Sequence, residues 1–179
     1  PSDAQQGGQA QQGGPGGGSS DNADVKLQYI DDEFDSYSNI FDNAKNDITD
    51  KDKARLIASL KNLSECTDLE NTVDIDEVIR YFVVHNFVCN GDSYTGIMVH
   101  NYYLYEQDGK LSMIPWDYNL SFGGFQSGNA TSVVNESIDN PVSGGNVSDR
   151  PMLAWIFSDE KYTEMYHDLF AEFIEKWFS

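Results

Sequence analysis

The chain sets 30 acidic against 11 basic residues in 179, a formal net charge of −19. That excess repels nucleic-acid backbones and anionic membrane surfaces, so neither is expected as the main partner, and no apolar run approaches the roughly 20 residues of a membrane-spanning helix. The length suits one domain with a sizeable core, while Cys66 and Cys89 are too few and too far apart for a zinc site, which leaves a disulfide or two thiols open.

The first twenty residues hold seven Gly and five Gln without one aromatic or branched aliphatic side chain. Such a stretch cannot bury enough apolar surface to offset its ordering entropy, so residues 1–22 read as a flexible linker and residues 23–179 as the folded part. Val25–Ile30 reads as a short strand. The acidic run Asp31, Asp32, Glu33 and Asp35 lacks the glycine and ligand spacing of a calcium loop and reads as a solvated turn.

A helix opens at Thr49 or Asp50 and turns Ile57, Leu60 and Leu63 inward. A second opens at Asp74, where Glu77 three residues on completes a capping box, and it runs to about Phe87. Its inward stripe is Ile75, Val78, Ile79 and Phe82, with His85 at the edge of the core. The turn-rich NGDSYTG stops this helix after Cys89. Asp108-Gly109 between two apolar runs then predicts a hairpin, with strands Asn101–Glu106 and Leu111–Trp116. Residues 123–150 are a long Gly-, Ser- and Asn-rich loop, of a kind that is functional, mobile or both. A short helix follows Pro151, burying Met152, Trp155 and Ile156. The last helix opens near Ser158 and carries Tyr162, Tyr166, Leu169, Phe173 and Trp177 at helical spacing, a core stripe rather than a cofactor box. Its amphipathic pattern continues to Ser179 and the chain starts without Met, so both ends are expected to be cut from a longer protein.

Three polar residues punctuate this plan. Asp92 lies in the loop after the second helix, Asn101 opens the hairpin nine residues later, and Asp117 closes it. Asp, then Asn, then strand-turn-strand, then Asp is the order of a kinase catalytic loop and metal-binding segment. Phosphoryl transfer needs one carboxylate on the attacking hydroxyl, and an amide oxygen with a second carboxylate on magnesium. The spacing departs from the ordinary kinase pattern: no His-Arg precedes Asp92, and Asp117 starts Asp-Tyr-Asn instead of Asp-Phe-Gly.

The motifs NGDSYTG, HNYYLYEQDGK and PWDYNLSFGGF resemble the spore coat protein H (CotH) family of atypical kinases, secreted or spore-associated. The likeness runs from VKLQYIDD at Val25 through DRPM at Arg150 to the final Tyr-rich helix. It implies an α+β fold, the mostly helical C-terminal lobe of a kinase-like domain, with a β-hairpin carrying the active-site residues. It also implies Asp117 as the magnesium-binding aspartate, Asp92 as the other active-site aspartate and a further metal contact, and Asn101 as a second metal ligand, with His100 and Asn119 as alternatives to Asn101. Mg²⁺ or Mn²⁺ and ATP would be the cofactors, a Ser/Thr-bearing protein the acceptor, and the cell surface, the exterior or the spore coat the location. The phosphate-binding lysine, its glutamate partner and the nucleotide-covering loop are expected in a lobe preceding residue 1, because the glycines at 7–18 fit no nucleotide frame. The fragment alone is then expected to be inactive. The competing reading is a non-catalytic coat or surface assembly module that keeps the fold. A carbohydrate-binding module is less favoured, since most of the aromatics fall on core-facing helix positions.

Overall fold

The computed structural model describes residues 23–125 and 130–178; the Gly/Gln-rich segment read as a linker lies outside them. The described residues form an α+β fold. Seven α-helices, α1 (Ser38–Phe41), α2 (Asp50–Glu65), α3 (Leu69–Thr72), α4 (Ile75–Phe87), α5 (Ala130–Val133), α6 (Pro151–Ser158) and α7 (Glu160–Phe178), surround one antiparallel pair, β1 (Tyr102–Gln107) and β2 (Lys110–Pro115). None of these helices is long and apolar enough to cross a membrane.

Helix starts follow the capping residues. Thr49 accepts from the Asp52 amide, and the Asp52 carboxylate accepts from the Thr49 amide at 2.8 Å, so two orphan donors of α2 are satisfied together. These bonds and the Arg55 contact hold the Asp52 carboxyl down at about 2. Asp74 caps α4 by accepting from the Glu77 amide at 3.0 Å, without a reciprocal Glu77 bond among the described residues. α6 starts with Pro151 at its first position, where a missing N–H costs nothing. α7 starts two residues later than the sequence suggests, because the Asp159 carboxylate takes the Lys161 amide and breaks the chain between the two helices.

The inward stripes are those read from periodicity. Ile57, Leu60 and Leu63 of α2, Val78, Ile79 and Phe82 of α4, and Met152, Trp155 and Ile156 of α6 share one core with Tyr37, Tyr94 and Tyr166. Each fully buried large side chain contributes on the order of 1.5–3 kcal/mol. α4 is the central post, packed on α6, α7 and β2. The aromatic stripe of α7 is buried only over its first half: Tyr162, Tyr166 and Phe170 are inside, whereas Trp177 is 67% exposed. Its neighbours there give out before the helix does, so Trp177 is not a core residue.

Two further expectations change. Val25–Ile30 is not a strand; residues 23–27 form a turn closed by Gln28 N–H to Ala23 O at 2.9 Å. The buried Asp24 carboxylate accepts from the amides of Val25 and Asn39 and from the Asn39 side chain, so this backbone is satisfied locally instead of by a ladder. The hairpin is shifted by one residue. Asp108 and Gly109 both have positive φ, 54° and 84°, the type I′ geometry that lets Gln107 and Lys110 pair directly. The strands therefore run Tyr102–Gln107 and Lys110–Pro115, and Asn101 and Trp116 fall outside the ladder. Cys66, at the left-handed end of α2, and Cys89 are both free thiols.

His85 sits deeper than a core edge, at 1% exposure. Burial pushes its pKa from 6.5 down to about 4, so the native ring is neutral at physiological pH. As pH falls the unfolded chain takes the proton first, so stability is lost between about 6.5 and 4 and levels off below that. The loss attributable to this ring is roughly 3 kcal/mol. Denaturant unfolding of the wild type and His85→Gln across that range checks it: the difference between their stabilities should change with pH inside the window and be flat outside it.

Candidate functional site

The site is built where the loop after α4 meets the feet of the hairpin. The loop is buried, and two side chains and one backbone amide pin it. Arg150, 1% exposed, donates from Nε to the Tyr94 carbonyl at 2.8 Å, from Nη2 to the Gly96 carbonyl at 3.2 Å and from Nη1 to the Asp149 carbonyl at 3.3 Å. Its partners are carbonyl dipoles, and burial lowers its pKa from the usual arginine value. The Tyr94 hydroxyl donates to Lys26 O at 2.9 Å and accepts from the Met152 amide, and burial raises its pKa well above the ordinary one. The Ser143 amide donates to Thr95 O at 2.8 Å, so part of the long Gly/Ser/Asn-rich segment packs over this loop. Gly96 has no alternative: a Cβ there would lie 1.9 Å from the Gly91 carbonyl oxygen.

This frame presents Asp92, 7% exposed. His100 Nε2–H donates to its Oδ1. Asn101 Nδ2 donates to its Oδ2 at 3.1 Å and to its backbone carbonyl at 3.0 Å. Both carboxylate oxygens are thus held, which fixes the plane of the group. Asn101 is in turn held through its Oδ1 by the Trp116 indole N–H at 3.1 Å, and Trp116 packs edge-on against Tyr103. A single polar chain therefore runs from Asp92 through Asn101 to Trp116, the residue before Asp117.

Asp117 differs from Asp92 in exposure and in partners. It is exposed, and its carboxylate has no hydrogen bond or ion pair among the described residues. Its backbone, like that of Asn101, is left-handed, with φ of 55° at both positions, and Val99 just upstream has φ of 49°. Asn and Asp tolerate that region, whereas a β-branched valine there is an outlier sustained by its burial.

The structure thus brings Asp92 and Asn101 into contact and puts Asp117 at the opposite foot of the same hairpin. His100, weighed from the sequence only as an alternative metal ligand, is bonded to Asp92; its position beside Asn101 in the chain was the available signal. Asn119 is exposed, two residues past Asp117. An open cleft of about 1070 Å³ reaches the site from the side of His100, Asn101 and Trp116 and continues past Tyr103, Tyr105 and Lys45. Lys45, Lys53 and Arg55 are matched there by Asp47, Asp52 and Glu106, so the cleft as a whole is no cationic funnel for phosphate. No cluster of three or more His, Cys, Asp or Glu side chains that could hold a metal occurs among the described residues. The oxygens that a divalent ion could use here are the Asp117 carboxylate and the remaining lone pairs of Asn101 Oδ1 and Asp92. Those are hard oxygen donors, which suit Mg²⁺ or Mn²⁺ when phosphate and water fill the other positions.

An α+β domain with one clamped and one open carboxylate at the feet of a hairpin is the class these observations define. The chain belongs to the CotH family: the family model described as CotH kinase protein matches residues 8–179. No curated protein and no solved structure matches it significantly.

Lysine cannot reproduce the Arg150 fork, because a single ammonium cannot span three carbonyls. Arg150→Lys should cost at least about 2 kcal/mol in denaturant unfolding by leaving buried carbonyls unpaired. Peptides covering residues 93–96 should exchange amide hydrogen faster in the variant, which mass spectrometry reads directly.

Proposed function

We propose that the chain is the C-terminal, catalytic-loop-bearing lobe of an atypical protein kinase that moves the γ-phosphate of ATP to Ser or Thr of a secreted, surface or spore-coat protein. Family membership supplies the kinase-like expectation. The observation that carries the reading is the contrast between the two aspartates. In this reading Asp92, buried and fixed by His100 and Asn101, meets the acceptor hydroxyl; its oxygen attacks the γ-phosphorus, the bond to the β-phosphate oxygen breaks, ADP leaves, and the hydroxyl proton goes to the Asp92 carboxylate. Asp117, open to solvent, holds Mg²⁺ or Mn²⁺ together with Asn101, with Asp92 as a further contact. The ion supplies positive charge against the phosphates, which a chain with a net charge of −19 could not otherwise approach. A location at the cell surface, outside the cell or in the spore coat follows from the same family reading.

A non-catalytic assembly module of the same family is the second reading. It is favoured by one observation: Asn101 Oδ1, the oxygen assigned to the metal, already accepts from Trp116.

Two variants of the intact protein separate these readings. Asp92→Asn should lower radiolabelled phosphate transfer on the order of 10²–10⁴-fold, with a much smaller loss of Mg-ATP affinity than Asp117→Asn produces. Asp117→Asn should lower rate and Mg-ATP affinity together, as calorimetric titration would read. Wild-type protein that transfers no phosphate to itself or to any Ser-rich acceptor puts the assembly module ahead.

A further inference from the structure

The residue after each candidate aspartate touches the same buried ring. Ser93 follows Asp92 and Tyr118 follows Asp117. His85 on α4 lies between them, with Nε2 at 2.7 Å from Ser93 Oγ and Nδ1 at 3.2 Å from the Tyr118 hydroxyl. The proton inventory makes this chain directional. Ser93 has one hydroxyl proton, and it goes to the Asn90 carbonyl at 2.6 Å. Ser93 Oγ must therefore accept from His85, which fixes the Nε2–H tautomer of a neutral ring and leaves Nδ1 as an acceptor. The Tyr118 hydroxyl has to be the donor to Nδ1. Thr95 Oγ1, 3.2 Å from Ser93 Oγ and 3.3 Å from His85 Nε2, completes the group.

The ring itself is immobilised. It stacks on Tyr81 at 5.1 Å with 15° between planes, and it lies 5.8 Å from the Tyr118 ring. The turn carrying Tyr118 is also anchored on the end of the same helix, through the Gly123 amide to Cys89 O at 3.4 Å. α4 thus supplies one reference to which both aspartate-bearing segments are tied, and His85 is the side chain that reaches both.

We propose that His85 is a positioning residue which, through the chain Tyr118 Oη–H to Nδ1 and Nε2–H to Ser93 Oγ, holds the Asp117 segment in register with the Asp92 loop. The tyrosine hydroxyl is the feature that a phenylalanine at position 118 would lack. The coupling stands on this geometry alone. Only its consequence for a metal rests on the kinase reading above.

The test uses the intact protein with Tyr118→Phe, His85→Phe, the double variant, and His85→Gln, whose amide can still donate and accept. Amide exchange by mass spectrometry is followed in residues 92–96 and 117–124, with α6 as the internal reference. Tyr118→Phe keeps the ring and removes one proton. It should speed exchange in both segments, the distant 92–96 loop included, by about fivefold or more while α6 is unchanged. The double variant should be no worse than His85→Phe, and His85→Gln should recover part of the protection. Additive effects, an unaltered 92–96 loop in Tyr118→Phe, or equal loosening of α6 would each overturn the coupling. Titration with Mn²⁺ alone runs in parallel. If the wild type binds Mn²⁺, Tyr118→Phe should weaken it several-fold. If the wild type binds none, the metal reading fails, and the exchange data decide the coupling by themselves.

Discussion

A guanidinium bonded to main-chain carbonyls, with no ion pair to a carboxylate among the described residues, holds the middle of this molecule together. Arg150 is closed off from water, and the charge is met by the carbonyl oxygens of Tyr94, Gly96 and Asp149. Burying an unpaired charge is expensive, and carbonyl dipoles offset it only if they converge on the planar fork. That requirement works in reverse on the backbone: the loop from Asn90 to Val99 can take only the path that aims its carbonyls at Arg150. Tyr94 inside the core, Gly96 against Gly91 and the buried Asp92 facing His100 and Asn101 all follow from that path.

The hairpin adds a second, stiffer constraint. Its type I′ turn fixes the register, and the register fixes which residues stand at the feet. Arg55, bonded to Glu106 at 2.6 Å and to Asp52 at 2.8 Å, ties the far end of β1 to α2. The near end is tied by Trp116 to Asn101 and by Asn101 to Asp92. Loop and hairpin were built by different local rules, yet they meet in one hydrogen-bonded network.

Features with a short-range cause were legible in the sequence. The Thr49 and Asp74 caps, the apolar stripes of α2, α4 and α6 and the Asp-Gly turn each depend on residues within a few positions, and each lies where the periodicity put it. Asp92, Asn101 and Asp117 were singled out because their order around a hairpin is itself a local pattern. What escaped reading depends on distant partners. Val25–Ile30 had the composition of a strand, but Asn39 supplied donors to Asp24 and no strand among the described residues pairs with it. Trp177 kept the helical spacing of its stripe after the surface it would cover had ended. The place of His100 beside Asn101 was a signal of its involvement but not of its partner, because that contact requires a loop eight residues upstream to fold back onto it.

The left-handed backbone at Asn101 and Asp117 imposes a demand separate from any chemistry of their side chains. Apart from glycine, Asn and Asp are the residues that occupy that conformation with least penalty. The permitted alphabet at the two feet is therefore narrow twice over, once for the oxygen atoms presented and once for the main-chain angle. A carboxylate-to-amide exchange at position 117 respects the angle and reports on charge alone. Truncation to alanine disturbs both, and any defect it produces would mix lost function with a hairpin that no longer closes at its base.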